Sequence, residues 1–220
     1  MNFVHLVHRK MSEKRSKNFI NRVARRLTKL LRHGALQQGL AVSEDGFVVL
    51  DDVMDLPFFA NKSVTKEEIE HIVSIDNKKR YTLSVNAVGN SVIRCNQGHT
   101  MAEVKAESLL VPILDHTEVS VCIHGTYSHF LDTIYESGGL SRMTRNNIHM
   151  CAAEPTSETV ISGIRGSVDV LVYVNVKKAM ELGLPFFRSA NNVILCPGPI
   201  PVDCFEKVVW DYSYKKYYDK

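Results

Sequence analysis

An α+β chain of two lobes follows from three features of the sequence. Residues 19–95 run in the order helix, strand, two helices and hairpin, which is a winged-helix pattern. Beyond about residue 112, short apolar strands alternate with short helices, so a mixed α/β lobe follows. The positive charge sits at one end: residues 1–34 hold ten Lys and Arg against the single acid Glu13, a balance of +9. The other 186 residues carry 17 basic and 23 acidic side chains, a balance of −6. A basic end on an otherwise acidic chain is the footprint expected of a lobe that meets a polyanion, although a solvated basic tail has the same composition. The expected lobes are 1–111 and 112–220.

Each element has a local reason. Phe19, Ile20, Val23, Leu27, Leu30 and Leu31 recur at helical spacing, with Arg22, Arg25, Arg26 and Lys29 on the remaining surface and Gly34 as the stop. Ser43-Glu44-Asp45-Gly46 turns into a strand over Phe47–Leu50; Asp51 then caps a brief helix through Leu56. Thr65-Lys66-Glu67-Glu68 opens the next helix as a capping box. Ala87-Val88-Gly89-Asn90 joins the strands Arg80–Val85 and Ser91–Cys95. Pro112 and Asp115–Glu118 read as a linker. After it come a strand Val119–His124, a helix Tyr127–Ser137 stopped by Gly138-Gly139, and a strand Asn147–Cys151. A helix capped by Thr156 or Ser157, a strand Val168–Val174, a helix through Leu182 and a strand Asn192–Cys196 complete the pattern. The tail Tyr212–Lys220 reads as a docked or frayed end.

Composition excludes several classes. With 45% hydrophobic and 23% charged residues the chain is globular, and no apolar run is long enough to span a bilayer. No apolar core of a secretory signal is expected in Met1–Lys10. Cys95, Cys122, Cys151, Cys196 and Cys204 form no CxxC pair and lie mostly in apolar strands, so buried thiols in a reducing compartment, cytoplasm or nucleus, are expected. The Arg-rich start leaves a mitochondrial presequence as a lesser alternative. No GxGxxG, Walker A, HExxH or nucleophile elbow is present, and no Cys/His spacing suggests zinc; the expected metal content is none.

What remains is a set of cations and polar groups. Arg32-His33 ends the basic helix, where a guanidinium can grip phosphate bidentately, though the helix dipole alone also favours such a pair. Arg80 follows the basic turn Asn77-Lys78-Lys79. Gln97-Gly98-His99-Thr100 groups hydrogen-bonding types around a glycine that lets a ligand approach the backbone. His124-Gly125-Thr126 and Ile148-His149, with Arg145 just before, place histidines at strand ends. One such histidine is ordinarily a satisfied core residue; two beside an arginine suggest a cleft.

In order along the chain, these strings resemble the tRNA 2'-phosphotransferase family from about Ser16 to Phe205. They are Leu30-Leu31-Arg32-His33 with Gly39-Leu40, Asp45-Gly46-Phe47, Lys78-Lys79-Arg80-Tyr81, Gln97-Gly98-His99-Thr100, His124-Gly125-Thr126, Gly139-Leu140, Arg145, Ile148-His149, Ser162-Gly163-Ile164-Arg165, Phe186, Asn191 and Val193-Ile194-Leu195. The resemblance implies a winged-helix RNA-binding lobe joined to an ADP-ribosyltransferase-like lobe holding NAD. It implies a catalytic set of Arg32, His33, Arg80 and Arg145, and an NAD-side triad of His124, His149 and Val193. It also puts Gly125, Thr126, Ile148, Gly163, Arg165 and Asn191 toward NAD, and Lys79, Gln97, Gly98 and His99 toward RNA. The chain departs from the family pattern at Cys95 (usually alanine), Asn192 (usually glycine) and Met150-Cys151 (usually leucine and a small residue). None of these removes a catalytic group.

The implied reaction strips the splice-junction 2'-phosphate from ligated tRNA. The phosphate attacks the nicotinamide ribose C1'', expelling nicotinamide; the ribose O2'' then attacks phosphorus, leaving 2'-OH RNA and ADP-ribose 1'',2''-cyclic phosphate. A phosphate monoester, with a second pKa of about 6, is already dianionic at neutral pH and needs no base for the first step. The second step builds charge where arginines help most. The expected partners are 2'-phosphorylated RNA and NAD, consumed as co-substrate, with the protein a monomer and no membrane involved. Two alternatives stay open: ADP-ribosylation of terminal phosphates of RNA or DNA, and a non-catalytic winged-helix nucleic-acid-binding protein.

Overall fold

A computed structural model describes residues 15–154 and 163–210. It is mixed α+β, with three sheets and helices packed beside them. The first helix, α1 (Lys17–Lys29), starts at Ser16, whose side chain accepts from the Phe19 amide, and buries Val23 and Leu27 completely. Its end does not simply stop at Gly34. It widens into a π-helical turn, Leu30–Gly34, which keeps Leu30 and Leu31 buried and carries Arg32 and His33.

The strand β1 is shorter than expected, Val48–Val49, and pairs with β3 (Ser91–Cys95), which pairs in turn with β2 (Tyr81–Val85). Asp51 is not a cap. Val49 occupies that position of α2 (Leu50–Asp55) without a side-chain bond, while Asp51 lies in the first turn and pairs with Lys66. Pro57 then restarts the chain as α3 (Pro57–Ala60), an element the sequence pattern did not separate. The Thr65–Glu68 capping box forms as expected and opens α4 (Lys66–Ser74). One apolar core, from Val23 to Val104, joins these elements.

A seven-stranded sheet organises the rest, in the order β12 (Phe205–Val209), β8 (Val170–Val174), β5 (Ile123–Thr126), β7 (Ile148–Cys151), β10 (Val193–Cys196), β9 (Phe186–Arg188) and β4 (Val111–Ile113). Pro112 is not in a linker: it lies in β4 (Val111–Ile113) at the sheet's edge, where a missing N–H is tolerated. Asp115 and Glu118 cap a 3₁₀ turn over His116–Glu118, so the next strand, β5 (Ile123–Thr126), starts later than expected. The helix after it, which follows the short α5 (Ala106–Leu109) in chain order, is likewise shortened to α6 (Leu131–Glu136). Ser128 donates both its amide and its hydroxyl to the Asp169 carboxylate, and residues 128–130 form a 3₁₀ turn instead. The strands β7 (Ile148–Cys151), β8 (Val170–Val174) and β10 (Val193–Cys196) form close to expectation. The helix α7 (Val176–Glu181) ends at Leu182. Sequence reading missed β6 (Gly139–Leu140), β9 (Phe186–Arg188), β11 (Ile200–Pro201) and β12 (Phe205–Val209), mostly too short to show a period. The expected helix at Thr156 or Ser157 and the tail Tyr212–Lys220 fall outside the described residues.

All five cysteines are buried and free. No helix among the described residues is long and apolar enough to cross a membrane.

Candidate active site

A loop stitched to two elements brings the N-terminal cations together. Tyr81, at the start of β2, donates its hydroxyl to the Ala24 carbonyl of α1 at 2.9 Å, which draws the neighbouring Arg80 to that helix. Buried Asn96 accepts the Thr82 hydroxyl and donates to the Lys79 carbonyl at 2.8 Å. Four residues on, the Thr100 amide donates to the Arg32 carbonyl at 3.0 Å and its hydroxyl meets His33 Nδ1 at 3.1 Å. Arg32 lies across Gly98: a Cβ there would sit 3.0 Å from Arg32 Nε, and the backbone φ is +88°. Only glycine fits that position without displacing the guanidinium. Arg80 is fixed differently, by an ion pair with the nearly buried Asp76, whose other oxygen accepts the Arg80 amide at 2.6 Å.

Two asparagines tie this group to the seven-stranded sheet. The Asn146 amide donates to the His99 carbonyl, and its side chain donates to the carbonyls of Met101 and Val104 at 3.0 and 3.1 Å. Arg145 is thereby brought to the Arg32 side. Asn191 donates to the Lys78 carbonyl at 2.9 Å, 113 residues away in sequence. Between these ties lies a cleft of about 480 Å³. Six cationic side chains line it, Arg32, Lys78, Arg80, Arg142, Arg145 and Arg165, and among the described residues no acidic one does.

The cleft's other wall is set by the sheet. His124 Nδ1 donates to the His149 carbonyl and His149 Nδ1 to the Asn147 carbonyl, both at 2.9 Å. A carbonyl only accepts, so each neutral ring carries its proton on Nδ1 and leaves Nε2 as an acceptor. His149 Nε2 is buried without a partner among the described residues. Burial, reinforced by Arg145, lowers the pKa of His149 well below the usual imidazole range. Burial also lowers that of His124. Gly125 serves packing: Ile164 and Val168 press on the face where a Cβ would stand. Thr126, Ile148, Gly163 and Arg165 line the cleft with them. Burial lowers the pKa of Arg145 too, helped by Arg165 and Arg32.

Several expected residues stand elsewhere. Val193 is wholly buried in a small core with Leu110 and Leu195, and does not line the cleft. Asn191 bridges backbone and likewise does not line it. Lys79 is exposed with a positive φ, and its neighbour Lys78 lines the cleft in its place. Gln97 lines the cleft, whereas Gly98 supports Arg32 from behind. His99 is buried, and burial with the nearby Arg32 and His33 brings its pKa down to about 3. His33 opens onto a neighbouring groove, its pKa lowered by burial and then by Arg32, Arg145 and Lys29. Sequence reading missed Asp76, Asn146 and the cleft-lining Tyr127, Phe130 and Arg142. Asp76 had a signal, since it stands four residues before Arg80.

Comparison with known families decides the wider question. The family model described as RNA 2'-phosphotransferase, Tpt1 / KptA family, matches residues 19–198. The chain belongs to this family. It is 36% identical over 178 residues to tRNA 2'-phosphotransferase 1 of Danio rerio, covering 80% of this chain and 78% of that protein. It is 37% identical over 185 residues to the Mus musculus protein of the same name, covering 80% and 70%. It is 30% identical over 190 residues to tRNA 2'-phosphotransferase of Saccharomyces cerevisiae, covering 85% and 82%. Within the family match, Asn192 stands in the left-handed region at φ +59°, and its side chain accepts from Arg188. Asparagine holds that conformation here with a hydrogen bond that glycine has no side chain to make.

Proposed function

We propose that the protein removes the 2'-phosphate from ligated tRNA with NAD as co-substrate and no metal. The observation that carries this reading is the convergence of Arg32, Arg80 and Arg145 on one cleft that has no acidic lining residue among those described. Three guanidiniums match the three free oxygens of a phosphate monoester better than they match a neutral or cationic substrate. Family membership supports the same substrate class. The finer fold reading belongs to this proposal. Residues 1–111, with helices beside a three-stranded sheet, would be a winged-helix RNA lobe; residues 112–220, with the seven-stranded sheet, would be an ADP-ribosyltransferase-like lobe. So does a monomer working in cytoplasm or nucleus, which suits five free thiols.

The residues fit NAD on one point above all: His149 Nε2 is a buried acceptor with no donor among the described residues, and a ribose hydroxyl would supply one. His124, Thr126 and Arg165 would hold the rest of the dinucleotide. When bound, NAD would supply the ribosyl carbon that takes the phosphate, with nicotinamide as leaving group. Arg32 and Arg80, from the N-terminal side, would hold the dianionic phosphate and orient it. Arg145 would stabilise charge on the phosphoryl oxygens as the phosphate is transferred. Burial and then the neighbouring cations lower the pKa of His33; a bound dianion would offset the cations, raise that pKa and fit the ring to hold a proton near the phosphate.

The test is to incubate the full chain with 2'-phosphorylated RNA, with and without NAD, in the presence of EDTA. The expected products, only with NAD, are 2'-OH RNA, nicotinamide and ADP-ribose 1'',2''-cyclic phosphate. Inorganic phosphate released without NAD would overturn the reading. RNA that keeps an ADP-ribosyl phosphate would move it to terminal ADP-ribosylation.

A further inference from the structure

We propose that RNA flanking the 2'-phosphorylated nucleotide leaves the cleft along one edge of α1, over His33, Lys29, Arg25 and Asn21. The chemistry in the cleft rests on the phosphotransferase reading, but the path itself is carried by a separate cavity. A groove of about 660 Å³ lies between α1 and the start of β2, lined by those four residues with Arg80 and Tyr81 among others, and among the described residues no acidic side chain lines it. Arg80 lines both the groove and the cleft, so a chain held there passes from one into the other. The π-helical turn makes the junction: of two adjacent residues, Arg32 lines the cleft and His33 the groove.

The four positions recur every fourth residue, which places them in one row along the helix. At 1.5 Å per residue the row from Asn21 to His33 extends roughly 18 Å, room for several phosphates rather than one. Two of the helix's other cations, Arg22 and Arg26, are engaged elsewhere. Arg22 lies over the Phe19 ring at 5.8 Å and Arg26 over the Phe58 ring at 5.6 Å. Arg15 stacks on Phe19 and pairs with Glu68. Arg25 and Lys29 have no acidic partner among the described residues, and both are exposed. The basic face read from the sequence therefore divides in two, and only the Arg25–Lys29 edge faces a groove continuous with the cleft.

The experiment compares R25Q/K29Q with R22Q/R26Q in the full chain. All four positions are exposed, and thermal melts would check that both variants fold. The probes are an RNA oligonucleotide with one internal 2'-phosphate and a nucleoside 2'-phosphate without flanking nucleotides, with affinities measured across a salt series. For single strands each lost phosphate contact lowers the slope of log affinity against log salt by about 0.7. R25Q/K29Q should therefore lose about 1.4 in slope and bind the oligonucleotide about tenfold more weakly at physiological salt. R22Q/R26Q should keep the wild-type slope, and the nucleoside 2'-phosphate should not separate the two variants. Equal slopes for R25Q/K29Q and wild type, or equal losses in both variants, would overturn the path. Wild-type protein that binds the oligonucleotide but does not remove its phosphate with NAD would instead refute the phosphotransferase reading, leaving the slopes to decide the path.

Discussion

On the N-terminal side of the cleft, Arg80 is held by the Asp76 carboxylate and Arg32 rests on the bare backbone of Gly98. On the C-terminal side, His124 and His149 are held by backbone carbonyls. The N-terminal side lies in residues 1–111, which carry 17 basic and 12 acidic side chains, yet its arginines need individual tethers from loops and turns. The C-terminal side belongs to residues 112–220, which carry 10 basic and 12 acidic side chains, and there the strands orient the rings. Bulk charge draws a polyanion toward the molecule; it does not aim a guanidinium. Positions held through one side chain or one glycine should be fragile, and positions held by a sheet should fail only with the sheet.

The sharpest way to break this comparison is at Gly98. Gly98→Ala leaves every arginine in the chain, yet its Cβ would meet Arg32. Removing one preorganised donor costs about 100-fold to 1000-fold in rate. Single-turnover dephosphorylation by Gly98→Ala should fall toward that of Arg32→Ala; a rate within a few-fold of wild type would show that Arg32 is not held in this way. A smaller loss, about tenfold to 100-fold, is expected for Asp76→Asn, which frees Arg80 without removing it. Arg80→Ala in the Asp76→Asn background should then cost less than Arg80→Ala alone, and full additivity would argue against the tether.

Acid should separate the two sides less severely. His99 has a folded pKa of about 3 against 6.5 for the free ring, so it stays neutral in the folded state where the unfolded chain binds a proton. Its contribution is complete above pH 6.5 and is lost as pH falls toward 3. Within that window one such histidine steepens the fall in stability by about 1.4 kcal/mol per pH unit. Urea melts across the window should show a shallower acid limb for His99→Gln than for the parent. An unchanged limb would mean that His99 titrates normally. The smallest effect is expected at Asn192, where Asn192→Gly relieves a left-handed backbone but loses the bond from Arg188 and loosens the unfolded chain. The net change should stay within about 1 kcal/mol, while Asn192→Ala, which keeps the strain and loses the bond, should destabilise by about 1–2 kcal/mol. Equal melts for the two variants would remove the backbone from the explanation.

The sequence by itself determined the long-period features. The buried stripe of α1, the capping box at Thr65, the hairpin and the apolar strands β8 and β10 follow from spacing and local bonding, which a linear string records. It also contained every arginine of the cleft and both histidines, and their order along the chain pointed to the family. Only the tertiary structure decided which of these groups meet. Nothing near Asn146 or Asn191 in sequence shows that their amides cap carbonyls of residues 78, 101 and 104. Nothing near Val193 separates a cleft-lining residue from one sealed behind Leu110 and Leu195. The same holds for the basic helix: composition cannot tell cations stacked on Phe19 and Phe58 from those facing a groove. Periodicity reports which side of an element is buried, whereas a binding site depends on contacts between residues distant in sequence, and those are fixed only when the chain closes on itself.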